Sequence, residues 1–255
     1  MRIIIGGILG RMGREVTAAA QNAGITVSCG VDVAYAGKST DIPVVTGYDQ
    51  ITEAADVLID FSKPEGIVPL LAFCEKAKLP CVLCATGFLE RDVRHIEAAA
   101  SVIPILRSAN MSLGIHVMEQ LVAMATQALG TGFDIEIVEK HHRMKVDSPS
   151  GTAIMLYNAV QNASQEGVTP VYGRCDAQSG REVGDIGMHS VRGGTVTGEH
   201  EVGFYGEGEQ IILTHRAESR ALFAQGALRA AAFLQGKAPG LYTMRDVVTE
   251  MLDKK

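Results

Sequence analysis

Residues 2–24 read RIIIGGILGRMGREVTAAAQNAG, and this stretch decides the fold. Arg2–Gly6 is a short apolar run that ends in glycine, the pattern of a buried strand. Gly7-Ile8-Leu9-Gly10-Arg11-Met12-Gly13 follows at once, and an amphipathic segment then runs to a closing glycine, Gly24. A glycine turn between a strand and a helix lets backbone approach a pyrophosphate seated on the helix N-terminus. The spacing G-x-x-G-x-x-G is a variant of the standard fingerprint, and the strand before it and the helix after it supply the context the fingerprint requires. The backbone of Gly7, Ile8, Leu9, Gly10, Arg11 and Met12 is placed to line that contact. Gly13 is placed to permit close helix–sheet packing. Tight packing without a ligand is the competing reading.

Outward from this unit the same rhythm continues. ITVSCGVD, ADVLIDFS, PCVLCATG and IPILRSAN read as strands, and PEGIVPLLAFCEKAK and ERDVRHIEAAAS as helices. Apolar strands joined by helices indicate a parallel sheet covered on both faces, so a Rossmann-type doubly wound α/β domain is expected. After about Asn110 the pattern changes. A long helix, SLGIHVMEQLVAMATQALG, leads to the strand DIEIVEKHH and the helix GTAIMLYNAVQNAS. GMHSVRGG, TVTGEHEVGFYG and EQIILTHRA then follow without helices between them, as meandering hairpins would. This part reads as α+β with an open mixed sheet. RALFAQGALRAAAFLQGK and YTMRDVVTEML are two closing helices.

Three strand ends carry candidate ligand contacts, because ligands of open parallel sheets bind beyond the carboxyl ends of strands. Asp32 ends the second strand, where a carboxylate accepts bonds from ribose hydroxyls. Its neighbour is Val33, so no arginine stands beside it to hold a 2′-phosphate; Arg11, Arg14 and Lys38 are the available cations. Thr86-Gly87 and the run Ser108-Ala109-Asn110-Met111 follow two further strands and are placed for the nicotinamide half, with plain loops as the alternative.

The segment VEKHHRMKVDSPSGTA, Val138 to Ala153, concentrates cations and imidazoles before a helix in a chain of net charge −6. Ser148 or Ser150 is able to cap that helix. The first amides, at Gly151 and Thr152, suit a carboxylate, and Lys145 adds a full charge. His141 and His142 are proton donors near neutral pH. Adjacent strand residues face opposite sides, so one of the two is expected to meet the reacting atom. For the same reason the pair is a poor metal chelate, and no metal is expected. A solvated basic turn is the bland alternative. His95, His116, His189, His200 and His215 read as structural.

The bulk composition sets limits. The 255 residues are 47% hydrophobic and 20% charged, ordinary for a globular chain. The acidic balance argues against a nucleic-acid partner. No apolar run reaches membrane-spanning length and no signal peptide is seen, so no membrane partner and a cytoplasmic location are expected. Five scattered cysteines do not suggest disulfides. Cys81 and Cys84 have CxxC spacing but lie in an apolar strand, where residues three apart point to opposite faces; core packing is expected of both.

The run EKHHRMKVDSPSGTA resembles the motif of the dihydrodipicolinate reductase (4-hydroxy-tetrahydrodipicolinate reductase) family of the diaminopimelate route to lysine. GRMGR, DFSKPEG, ATGF, SANMSLGI, IGMHSVRGG, GEHEV, THRAESR and PGLYTMRDV follow the family order along the whole chain. The resemblance implies hydride transfer from NADH or NADPH to a cyclic unsaturated dicarboxylate, giving tetrahydrodipicolinate. It implies that His141 is the proton donor, that Lys145 shares that role and binds carboxylate, and that His142, Gly151 and Thr152 contact substrate. It matches Gly7–Met12, Asp32, Cys84, Ala85, Thr86 and Ser108–Met111 to cofactor contacts. It further implies a dinucleotide-binding domain over 1–111, a substrate-binding and oligomerisation domain over 112–221, C-terminal helices over 222–255 that rejoin the first domain, and a homotetramer built through the substrate-domain sheets. The chain departs from the family at Ile8, Leu9, Val33 and Cys84-Ala85. Those positions bear on cofactor preference, and Asp32-Val33 favours NADH at least as much as NADPH. A catalytically silent NAD-binding regulator would lack His141 or Lys145, and both are present. A dehydrogenase of another small acid would want a nucleophilic cysteine, and Cys175 has no evident activating partner.

Overall fold

The computed structural model describes residues 1–175 and 180–253. Residues 176–179 of the expected second domain, and 254–255 of the expected C-terminal segment, lie outside the described residues. The chain divides into two compact units, Met1–Leu113 with Arg220–Lys255, and Gly114–Ser219.

In chain order the elements begin with β1 (Arg2–Gly6), α1 (Arg11–Asn22), β2 (Thr26–Val31), β3 (Val44–Val45), β4 (Val57–Asp60), α2 (Ile67–Ala77), β5 (Cys81–Leu83), α3 (Glu90–Ala100) and β6 (Pro104–Arg107). The middle of the chain forms α4 (Leu113–Leu129), β7 (Asp134–His141), α5 (Gly151–Ala163), β8 (Thr169–Tyr172), β9 (Asp185–Arg192), β10 (Glu199–Tyr205) and β11 (Gln210–Arg216). It closes with α6 (Ala221–Leu234), β12 (Gly240–Tyr242) and α7 (Met244–Asp253).

The first sheet has seven parallel strands in the order β12-β6-β5-β4-β1-β2-β3. Side chains alternate across a strand, and β1 shows what that does here. Ile3 and Ile5 enter a core with Val16 and Ala20 of α1 and Ala224, Ala227 and Ala231 of α6. Ile4 enters the opposite core with Leu70 and Cys74 of α2 and Ile96 of α3. Both faces are covered, so an unbroken isoleucine run is stable in β1. This is the doubly wound Rossmann-type sheet. Its order reverses between β1 and β4, which makes their carboxyl ends the switch point. β3 and β12 were not anticipated from the sequence. β12 is three residues long and exists through its pairing with β6 (Leu241 opposite Ile105).

The second sheet has the order β11-β10-β7-β9-β8. β10 runs antiparallel to β7 and β11, while β7, β9 and β8 are parallel. The open mixed sheet was expected; the run of meandering hairpins was not correct. Among the described residues, only β10–β11 is a hairpin. β7 lies between β9 and β10, because α5 carries the chain across the sheet and leaves room for two later strands to flank β7. Ile135, Ile137, Glu139 and His141 of β7 alternate onto the covered face. Ile135 and Ile137 pack there with Val122 of α4, Leu156 and Val160 of α5, and Phe204 of β10.

Candidate active site

The glycine turn is built by backbone hydrogen bonds. Gly7 sits at φ +73°, a conformation that side chains penalise, and its amide donates to Val31 O at 2.8 Å. Gly10 N then donates to Gly7 O at 3.0 Å, and α1 starts at Arg11. A Cβ on Gly13 would stand 2.2 Å from Gly7 O and 2.6 Å from Ile8 Cα, so only glycine lets the helix sit this close. No side chain caps α1 and no acid lies in its first turn. Such an end keeps its positive pole for an external anion, so the turn fits a dinucleotide pyrophosphate. Ile8, bulky for this turn, is buried over Gly30, where a Cβ would meet Ile8 Cδ1 at 2.5 Å. The backbone of the turn remains at the surface, with Gly10 and Arg11 exposed and Leu9 and Met12 half-buried.

Asp32 follows β2 and is half-buried. Its Oδ2 accepts from Leu9 N and its Oδ1 from Ala34 N, both at 3.0 Å. The carboxylate therefore holds the glycine turn, and each oxygen keeps a second lone pair for a ribose hydroxyl. Val33 beside it is 89% exposed.

Cys84, Ala85 and Thr86 follow β5 at the same carboxyl edge. Cys84 and Ala85 are buried and Thr86 is exposed, so the first two offer backbone and the third also a hydroxyl. Cys84 packs on the α6 face and Cys81 on the α2–α3 face, so the CxxC sulfurs diverge as expected. Burial pushes the Cys84 thiol up, and a hydrogen bond from the Cys81 thiol to Cys74 together with burial does the same to Cys81. After β6, Ser108 Oγ donates to Asn110 O at 2.6 Å, and Asn110 Oδ1 accepts from Ser112 N at 2.8 Å. Ala109 is exposed, and Met111 is buried, its carbonyl against Gly226 of α6.

In the second unit, His141 is the last residue of β7 and is buried. His142 follows it, half-buried, in a loop that runs to α5. Lys145 Nζ pairs with Asp147 Oδ1 at 2.9 Å, and that bond holds the aspartate below the usual carboxylate range. Of the two serines, Ser150 is the cap: its Oγ accepts from Ala153 N at 3.1 Å. Gly151, the first residue of α5, is exposed and a Cβ there would meet open space; Thr152 is half-buried. Imidazole, ammonium and helix N-terminus thus lie on one short stretch of chain. Among the described residues, no cluster of three or more His, Cys, Asp or Glu is arranged to hold a metal ion.

Two neighbours of His141 escaped the sequence reading. Glu139 is 1% exposed, and its Oε2 lies 2.5 Å from His141 Nδ1. Arg192 of β9, opposite His141 in register, donates Nη1 to Oε2 and Nη2 to Oε1, both at 2.7 Å. Burial alone would raise the Glu139 carboxyl, but hydrogen bonds from Arg192, Ser190 and His141 outweigh it and take it to about 2. Burial lowers the His141 imidazole, Glu139 raises it, and Lys145 and Arg192 lower it further, with a net fall. His200 stands edge-on to His141 at 5.1 Å between centroids and shares a 3.0 Å hydrogen bond with Ser150 Oγ. Burial, followed by the field of His141, takes His200 down to about 3, so it is neutral at pH 7. One sequence signal pointed to Glu139: in D-I-E-I-V-E-K-H an acid occupies the inward parity set by Ile135 and Ile137. Nothing local pointed to Arg192, 53 residues away.

Comparison with known proteins decides the relationship. Residues 1–111 match the family described as dihydrodipicolinate reductase, N-terminus, and residues 114–248 its C-terminus. The chain belongs to the dihydrodipicolinate reductase family. A 4-hydroxy-tetrahydrodipicolinate reductase of Caldanaerobacter subterraneus subsp. tengcongensis is 48% identical over 252 residues, covering 97% of this chain and 98% of its own. A protein of the same name from Clostridium tetani is 42% identical, covering 96% and 95%. The solved structure of a dipicolinate-bound dihydrodipicolinate reductase from Paenisporosarcina sp. TG-14 shares the fold, with a TM-score of 0.79 at 23% identity over 95% of this chain and 97% of that one. Dihydrodipicolinate reductases thus provide full-length relatives for both units, and the resemblance seen in the motifs holds from end to end.

Proposed function

We propose that this chain reduces 4-hydroxy-tetrahydrodipicolinate to tetrahydrodipicolinate with NADH or NADPH, as a cytoplasmic enzyme of the diaminopimelate route to lysine. The observation that carries this reading is the continuity of His141, Lys145 and the Ser150-capped start of α5, in a chain related to reductases of that name over its full length. The bound nicotinamide cofactor supplies the hydride. The chain holds it through the backbone of Gly7–Met12, the Asp32 carboxylate, and the loops at Cys84–Thr86 and Ser108–Met111. The amides of Gly151 and Thr152, with Lys145 and His142, take the substrate carboxylates. Reduction of the conjugated system leaves an electron-rich carbon, and His141 delivers a proton to it from Nε2, with Lys145 steadying the charge. The partners are thus a small dicarboxylate and further copies of the chain in a homotetramer, with no nucleic acid and no membrane. No helix among the described residues is long and apolar enough to cross a membrane.

A planar dicarboxylate is the direct test of the anion site. Pyridine-2,6-dicarboxylate is expected to inhibit competitively with substrate, because it presents the same anions to the same helix end and cations. Initial rates over a matrix of inhibitor and substrate concentrations decide it; a pattern competitive only with cofactor would contradict the placement.

Cofactor preference is predicted from Asp32 and Val33. NADH is expected to give kcat/KM at least equal to that of NADPH, since a carboxylate suits a free 2′-hydroxyl and repels a 2′-phosphate. Val33→Arg, at an exposed position with room for a guanidinium, is expected to move the ratio toward NADPH. A strong NADPH preference in the unmodified chain would instead assign the phosphate to Arg11 or Lys38.

A further inference from the structure

Glu139 is a buried acid that the proposed reaction does not itself consume, and its two oxygens touch both halves of the candidate substrate site. Oε2 meets His141 Nδ1 at 2.5 Å, and Oε1 accepts from Ser150 N at 3.2 Å, one residue before the start of α5. Arg192 closes a bidentate fork on the same two oxygens and anchors it by donating Nη2 to Asp147 O at 2.7 Å. A carboxylate at 1% exposure is costly unless paired and bonded, so this position is built rather than incidental.

We propose that Glu139, clamped by Arg192, is the positioning residue that orients the proton donor His141 and ties it to the anion-binding end of α5. The proposal rests on the reading of His141 as proton donor and of α5 as carboxylate site. An ionised carboxylate only accepts, so Nδ1 of His141 carries its proton permanently toward Glu139. Nε2 is then the nitrogen that gains and loses the mobile proton. It lies on the side of Gly198, where an added Cβ would stand 3.1 Å from it. In the reductive step the Nε2–H bond breaks, its electron pair stays on nitrogen, a C–H bond forms on substrate, and solvent later reprotonates Nε2. The groups around the imidazole act in both directions. Glu139 favours the imidazolium, whereas burial, Lys145 and Arg192 oppose it, and neutral His200 lies edge-on. Glu139 is the one group among these that holds the donor in its charged form. It plays the part that carboxylates play behind metal-bound and triad histidines.

The test compares the unmodified enzyme with Glu139→Gln and Glu139→Asp. Three quantities are read: kcat against pH with saturating NADH, the 15N tautomer and titration of His141 in the substrate-free enzyme, and the Kd for NADH. Glu139→Gln is expected to lower kcat between about 10- and 10⁴-fold, the range spanned by such carboxylates. Its basic limb is expected to move to lower pH, because the group that raises the imidazole pKa has become neutral. KM for substrate rises as the α5 end loosens, and the Kd for NADH stays unchanged. Glu139→Asp keeps the charge on a shorter arm, so kcat falls while the basic limb stays near its original pH. It also carries the test if the glutamine variant does not fold. Loss of rate without movement of the limb or of the His141 titration in Glu139→Gln would mark a merely structural residue and overturn the proposal. Unchanged kcat in Glu139→Gln beside an inactive His141→Gln would overturn it too, leaving the reading of His141 intact. Full activity in His141→Gln would instead overturn the reading on which the proposal rests.

Discussion

His141→Gln is expected to lower kcat by roughly 10²–10⁴-fold with little change in KM for substrate, the loss typical of a positioned general acid. The amide keeps a donor near Glu139 but has no proton to deliver at neutral pH. An interaction made mainly in the transition state shows itself in kcat and not in KM. Lys145→Ala is expected to behave differently. The ammonium binds a ground-state carboxylate and also steadies developing charge, so KM rises and kcat falls together. Lys145 already pairs with Asp147 at 2.9 Å, so substrate has to compete with an internal carboxylate for it. Titration of NADH without substrate is expected to give the same Kd in both variants as in the unmodified chain, because the glycine turn belongs to the other compact unit. Full activity in His141→Gln would pass the proton to Lys145 or to a bound water.

Arg192→Ala has the largest expected effect on stability. It removes the bidentate partner of a carboxylate that is 1% exposed, and breaking a buried pair from one side costs about 3–5 kcal/mol. The effect depends on pH with a definite sign. In the intact protein the Glu139 carboxyl is lowered from 4.5 to about 2, so its contribution to stability is present above about pH 4.5 and is lost as pH falls toward 2. Without Arg192 the buried carboxyl is relieved by protonation. The difference between the two proteins is therefore expected to be largest at pH 7 and to shrink as pH falls toward about 2, where the carboxyl of the intact protein is protonated too. Urea unfolding followed by circular dichroism at pH 7 and pH 4 measures it. A gap that is equal at the two pH values would mean that the guanidinium contributes packing rather than charge.

The parts of the molecule that were legible in the sequence are those written in local pattern. The isoleucines of β1 and the glycine turn disclosed the doubly wound sheet, and Gly13 shows why: its missing Cβ is a local geometric need. A serine cap was legible because capping acts over three residues, although the choice between Ser148 and Ser150 came only with the structure. β12 and β3 were not, since three and two residues carry no periodicity, and β12 pairs only with the distant β6. The order β9-β7-β10 was misread because glycine-punctuated strands look alike whether they form hairpins or flank a common neighbour. In the site, the imidazole and ammonium announced themselves by type. Glu139 was hidden by its type: an acid between valine and lysine looks solvated until the parity of β7 is followed to its end. Arg192 needed the register itself, His141 opposite Arg192, before it had any connection to the site.

Hydride transfer to the cyclic dicarboxylate is tested most directly by one rate measurement. The purified chain is mixed with NADH and with 4-hydroxy-tetrahydrodipicolinate generated enzymatically in the same cuvette, and absorbance of the reduced nicotinamide is followed. Saturable NADH oxidation that requires the dicarboxylate and is lost in His141→Gln is the expected result. Oxidation that is absent with this substrate, or that proceeds equally without it, would contradict the assignment of this reaction to the chain.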